Sequence, residues 1–260
     1  MKTVFNRNST QPDGLGGSRA LINPWDVLKP VPGFPQTCVS TFSAKIIQRF
    51  AAMEQTEVIA GLYTANGVNP VYKITYGGRE FGLYLSLVGA PASVCGLEEV
   101  IAMGARKFVF FGSCGILNEE AVGNRLIVPT GAVRDEGTSY HYLPPSAEIE
   151  ADEETTSLLK DCLTRCGCPF VTAKMWTNDA IYRETLDLVR EHRDAGCIGT
   201  DMEYSALLAA ARFRGVGFAQ FFYGADSLDN DVWQPRDLTD YGFGNADKYM
   251  TLALEAALRL

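Results

Sequence analysis

Lys107-Phe-Val-Phe-Phe-Gly-Ser-Cys-Gly115 is the stretch on which the architecture turns. Its first five residues, 107–111, form a short and almost wholly apolar run, the mark of a central strand covered on both faces. The glycines that follow permit a sharp backbone turn that aims amides at a ligand oxygen. Open α/β sheets collect ligands beyond the carboxyl ends of their strands, so Ser113, Cys114 and Gly115 become candidate site residues by position.

Working outward toward the N-terminus, residues 71–76 and 79–87 flank Gly77-Gly78, a two-residue turn whose positive φ angles suit glycine, and predict a β-hairpin. Residues 37–42 read as a short strand. Past Pro91, Val94, Leu97, Val100 and Ile101 recur at helical spacing with Glu98 and Glu99 outside, and Gly104 ends that helix. Toward the C-terminus, strands are expected over 126–133, 170–175 and 216–223. Helices are expected over 153–166, 185–192, 202–214 (stopped by Gly215) and 246–260, the last with Asn245 as N-cap. Strands alternating with helices predict an α/β sandwich, and the early hairpin makes its sheet mixed. Residues 19–260 read as one domain without internal repeat or linker. Residues 1–18 are polar and glycine-rich, and are expected to be a flexible tail.

Composition narrows the function. The 260 residues carry 23 Lys+Arg against 31 Asp+Glu, a formal net charge of −8, and no basic run, which argues against a nucleic-acid or anionic-membrane partner. No apolar run approaches a membrane span and the first residues lack a signal-peptide core, so the expected address is cytoplasmic. Seven cysteines, an odd number, favour reduced thiols. Cys162, Cys166 and Cys168 do not follow C-x-x-C spacing, and His141 and His192 lie far off in sequence, so no metal site is expected. No G-x-G-x-x-G opens a helix after a strand, which disfavours a dinucleotide enzyme.

Three segments carry polar residues at strand ends. In the first, Gly112 adjoins Ser113, so the nucleophile-elbow spacing fails; Cys114 reads either as a buried structural thiol or as a nucleophile paired with His141. In the second, Asp201-Met-Glu203 opens the 202–214 helix. Its carboxylates either cap that helix or accept hydrogen bonds from vicinal sugar hydroxyls beside an oxocarbenium-like centre. In the third, Asp226 follows the 216–223 strand, where a carboxyl group is placed to protonate a leaving base or to serve as a turn aspartate.

In this order the chain resembles the nucleoside phosphorylase family of the uridine phosphorylase and hexameric purine nucleoside phosphorylase type. The blocks are Gly89-Ala-Pro-Ala-Ser with Leu97-Glu-Glu, Phe111-Gly-Ser-Cys-Gly, Val122-Gly-Asn-Arg-Leu-Ile-Val with Ala132-Val-Arg-Asp-Glu-Gly-Thr-Ser-Tyr, Asn178-Asp-Ala-Ile-Tyr-Arg, and Asp201-Met-Glu-Tyr-Ser-Ala-Leu. The resemblance implies a three-layer α/β/α sandwich around a mixed, partly barrel-like sheet, assembled as a homodimer or homohexamer. It implies an enzyme cleaving the N-glycosidic bond of a nucleoside with phosphate, without cofactor. Residue by residue, Glu203 resembles the ribose-binding glutamate and Met202 the methionine beneath the sugar. Asp201 stands where the family often has another glutamate. Ile181 and Tyr182 resemble the Phe-Tyr segment walling the pocket, and Asp226 the aspartate that purine-specific members set against the ring nitrogen. Cys114 and Gly115 complete the nucleoside set.

Ser113 resembles the phosphate-contacting Ser/Thr. Ser40-Thr-Phe-Ser43 stands where the family carries Gly-Asp-Pro-x-Arg, leaving Ser40 and Ser43 as the phosphate candidates there. Phe110 occupies the place of a family arginine. A hydrolytic nucleosidase and a catalytically inactive nucleoside-binding protein are therefore the alternatives to a phosphorylase.

Overall fold

The computed structural model describes residues 19–230 and 232–260, so the 1–18 tail lies outside the described residues. In chain order the elements are α1 (Pro24–Val27), β1 (Thr37–Thr41), α2 (Ala44–Ala51), β2 (Glu57–Thr64), β3 (Gly67–Tyr76), β4 (Arg79–Leu85), α3 (Ala90–Met103) and β5 (Lys107–Ile116). They continue with α4 (Glu119–Val122), β6 (Leu126–Asp135), β7 (Glu148–Glu150), α5 (Glu153–Arg165), β8 (Phe170–Asn178), α6 (Leu186–Asp194), β9 (Cys197–Asp201), α7 (Tyr204–Arg214), β10 (Gly217–Ser227) and α8 (Ala246–Ala257).

The strands form one mixed sheet in the order β10-β6-β8-β9-β5-β1-β4-β3-β2, with β7 on β6. Because β10 also pairs with β5, the strands β5, β9, β8, β6 and β10 close into a five-stranded barrel, and β1, β4, β3 and β2 continue it as an open sheet. Strand β5 is parallel to both β1 and β10, whereas the β3–β4 hairpin and the β5–β9 pair are antiparallel.

Alternation along β5 explains the layers. Phe108 and Phe110 point into a core shared with α3 and α7 (Leu97, Val100, Leu207, Ala210). Val109 and Phe111 point into a second core shared with α2, α5 and α8 (Ile46, Leu163, Met250). With a side-chain period of two and both faces apolar, β5 is held only between two helical layers. Phe111 stacks on Phe221 with ring centres 5.6 Å apart, and each such fully buried aromatic contributes roughly 1.5–3 kcal/mol.

Several expectations need correction. The 107–111 strand does not turn at Gly112; it runs on to Ile116, so Ser113, Cys114 and Gly115 are strand residues, paired by β10 and β9. Closure of the barrel supplies those partners, and one strand read alone does not show them. Likewise the 216–223 strand extends to Ser227, which places Asp226 within β10 rather than after it. The 202–214 helix begins at Tyr204, and Asp201 ends β9, an element absent from the sequence reading, as are α2, β2 and β7. Asn245 precedes α8 without a side-chain cap.

At Gly131 the register of β6 against β8 slips by one residue. A Cβ there would stand 2.5 Å from the Ile149 carbonyl oxygen of β7, a backbone atom that cannot swing aside. Gly131→Ala is expected to cost about 2 kcal/mol, roughly 5 °C in melting temperature, through overpacking alone; thermal denaturation measures it.

Candidate active site

At the carboxyl ends of β5, β9 and β10, a cavity of about 320 Å³ is lined by Ser113, Cys114, Gly115, Thr200, Asp201, Tyr223 and Asp226. Phe42, Ser43, Val88, Ile181, Glu184, Met202 and Glu203 close it from the connecting segments. A larger cleft of about 730 Å³ between α1 and α3 contains none of these residues.

Asp201 and Glu203 turn to different partners. Asp201 accepts from the backbone N–H of Glu203 at 2.9 Å and of Tyr204 at 2.6 Å, and from the Thr177 hydroxyl at 2.7 Å. It holds the backbone turn that leads from β9 into α7. Glu203 faces the cavity instead, with Oε1 accepting from the Gly89 N–H at 2.6 Å. Gly89 has φ +95°, a conformation strained for L side chains, so glycine is what lets that amide meet the carboxyl group. Burial and then the Asp201 charge push the Glu203 carboxyl up to about 8, against the Gly89 and Met202 amides. Burial likewise raises Asp201 to about 6, opposed by the bonds it accepts.

Asp226 enters the cavity because β10 breaks register with β5 between Gly224 and Asp226. It is buried, and Oδ2 accepts from the Trp233 indole Nε1 at 2.8 Å. Glu184 is a fourth carboxyl group, which the sequence reading missed. Its Oε1 accepts from Asn178 Nδ2 at 2.8 Å and Thr200 Oγ1 at 3.0 Å, and burial raises it. Its signal lay just past the Asn178-Asp-Ala-Ile-Tyr-Arg block.

The structure brings Ser43, Ser113, Cys114, Gly115, Ile181, Asp201, Met202, Glu203 and Asp226 to one cavity wall. Ser40 and Tyr182 lie off it. The Ser40 hydroxyl donates to the Tyr84 carbonyl at 2.9 Å inside the sheet, and the Tyr182 ring is 95% exposed, which leaves Ile181 as the wall residue of that segment. Cys114 and His141 do not form a dyad: His141 lines the separate α1–α3 cleft, and burial pushes the Cys114 thiol far above its ordinary range, where it is a poor nucleophile.

The wall carries four carboxyl groups and, among the described residues, no Lys, Arg or His. Phe110 sits among the rings of Phe42, Tyr84 and Phe218, at 6.1, 6.1 and 5.3 Å between centres. Lys45 Nζ lies 5.6 Å from the centre of the ring of Tyr241, a lining residue, and Arg236 Nη1 lies 3.8 Å from Glu119 Oε1. The Ser43 and Thr41 hydroxyls at the end of β1 are buried without a hydrogen-bond partner. No group of three or more His, Cys, Asp or Glu side chains among the described residues is placed to hold a metal ion.

A family model described as the phosphorylase superfamily matches residues 38–257. The chain belongs to the phosphorylase superfamily.

Among relatives of this superfamily member, a guanosine phosphorylase of Halorubrum lacusprofundi is 26% identical over 151 residues, 57% of this chain and 63% of that one. A uridine phosphorylase of Treponema pallidum is 34% identical over 73 residues, 28% of each chain. The chain thus spans less than two thirds of the length of these relatives. The crystal structure of a uridine phosphorylase from Vibrio fischeri superposes with a TM-score of 0.70 over 92% of this chain and 98% of that one, at 22% identity, a likeness of fold.

The raised Glu203 carboxyl makes a pH prediction. Its folded value lies above the ordinary 4.5, so the native state holds a proton that the unfolded chain gives up, and stability falls as pH rises from about 4.5 through about 8. Glu203→Gln copies the neutral form and is expected to be as stable as the parent at pH 5 and more stable at pH 8.5, read from melting temperatures at both.

Proposed function

We propose that this superfamily member cleaves the N-glycosidic bond of a nucleoside, a purine nucleoside before uridine, with inorganic phosphate as co-substrate. The observation that carries the reading is that Glu203 and Asp226 meet in one buried cavity at the strand ends. Glu203 accepts hydrogen bonds from the ribose hydroxyls while positive charge grows on the sugar, and Met202 lies alongside the ring. Asp226 donates to the departing base. The nucleophile attacks the anomeric carbon from the side of Ser113 and Ser43.

One observation favours a second reading, in which water is the nucleophile: none of the described residues on the wall is cationic. Phosphate is normally held by charge-assisted bonds of about 1.5–3 kcal/mol each, and this wall supplies hydroxyls in place of guanidinium groups. A homo-oligomer is also proposed. Its support is the apolar surface left open near the cavity, where Val88, Ile181, Tyr182 and Leu186 are exposed. Among the described residues no helix is long and apolar enough to cross a membrane.

Base release from inosine, guanosine, adenosine and uridine, assayed with and without phosphate, tests the reading. Phosphate-dependent release with ribose 1-phosphate is expected; phosphate-independent release of free ribose establishes the second reading, and no release from any of the four overturns both. Glu203→Gln is expected to lower kcat about 100-fold, the scale of losing one preorganised electrostatic contact at the transition state.

A further inference from the structure

The hydrogen bond on Asp226 comes from outside the cavity. Trp233 is absent from the wall, its ring is half exposed, and yet its N–H turns inward onto a carboxyl group that is 7% exposed. The segment bearing it is tied to the strand that carries Asp226. Gln234 exchanges two backbone hydrogen bonds with Ser227, at 2.9 and 3.0 Å, and the Asp237 N–H donates to the Ala225 carbonyl at 3.0 Å. Asp229 anchors the near side, accepting from Arg193 Nη1 at 2.8 Å and from the Glu119 N–H at 2.9 Å. The indole is therefore delivered to Oδ2 by backbone pairing.

An indole N–H donates, never accepts, and carries no charge in either state of its partner. It commits Oδ2 as an acceptor and leaves Oδ1, which lies 3.4 Å from where a Cβ on Gly115 would stand, as the oxygen free for a ligand. We propose that Trp233 is the positioning residue for Asp226: its indole N–H fixes the carboxyl group so that Oδ1 alone meets the nucleobase. This rests on the role given to Asp226 above.

In the step that follows, the C1′–N bond breaks and its electron pair goes to the base nitrogen. The proton moves from Oδ1 to the base while a phosphate oxygen forms the new bond at C1′; where water forms that bond instead, the proton it loses passes to the solvent. Negative charge then appears on Asp226, and the indole N–H on Oδ2 stabilises it more than it stabilised the neutral acid. Such a contact acts chiefly on kcat.

The test is a double-substitution cycle of Trp233→Phe, which keeps a ring and loses the N–H, with Asp226→Ala. Trp233→Phe is expected to lower kcat about tenfold with KM changed less than about twofold, and to add nothing in the Asp226→Ala background. In parallel, the indole N–H signal of Trp233, identified by its loss in Trp233→Phe, is expected to shift in Asp226→Ala. An unchanged kcat, an equal loss in both backgrounds, or an indole signal indifferent to Asp226→Ala overturns the positioning role. A parent protein that releases no base overturns the reading of the site and this role with it; an active parent with an additive cycle overturns this role alone.

Discussion

The parallel pairing of β10 with β5 is the constraint on which the rest of the molecule depends. It closes the barrel, and its one break in register, between Gly224 and Asp226, turns a carboxyl group from the sheet into the cavity. Side chains from outside the pair cross the end of β5, and its glycines make room for them. A Cβ at Gly112 would meet the Phe42 ring at 2.7 Å and one at Gly115 would meet Leu228 at 2.6 Å. The glycines near Ser113 thus serve less as a turn than as the bare floor over which neighbouring side chains pass, a common use of glycine in strands.

Around that floor the chemistry is one of carboxyl groups kept from water. Asp201, Glu203 and Glu184 are all raised by burial, and each is offset by hydrogen bonds from defined donors rather than by a cation. Hydrogen bonds from amides and hydroxyls hold a carboxyl group in place while leaving its protonation close to balance, whereas an ion pair would commit it to the charged form. Perturbed groups converging in a cavity are a physical signature of a functional site, and two of these three, Asp201 and Glu203, are residues that the family resemblance singles out. The same logic makes the Glu203 amide partner, Gly89, and the Asp226 indole partner, Trp233, part of the site although neither would touch a substrate.

Legibility in the sequence followed the range of the interactions. Local signals sufficed for β5, for the Gly77-Gly78 hairpin and for the helices α3, α5, α7 and α8, because apolar spacing and stop residues act within a few positions. The Asp201-Met-Glu block singled out Met202 and Glu203, and the end of an apolar run singled out Asp226, all three of which line the cavity. Lost were β2, which pairs with the adjacent β3 but is largely exposed and so carries no clear apolar alternation, and the short strands β7 and β9. The extents of β5 and β10 were lost as well, since both run past the apolar stretch that marked them.

The amino-acid sequence by itself determined the α/β class, the mixed sheet, the family and most of the side chains that reach the cavity. These follow from periodicity, from turn chemistry and from motifs read along the chain. Only the tertiary structure decided that Asp201 is spent on the turn leading into α7 while Glu203 faces the cavity, that Ser40 is consumed within the sheet, that Glu184 lines the cavity and that the Trp233 indole bonds Asp226. The physical reason is that a hydrogen bond made across 24 residues, as from Thr177 to Asp201, or across 114, as from Gly89 to Glu203, leaves no local trace in the sequence.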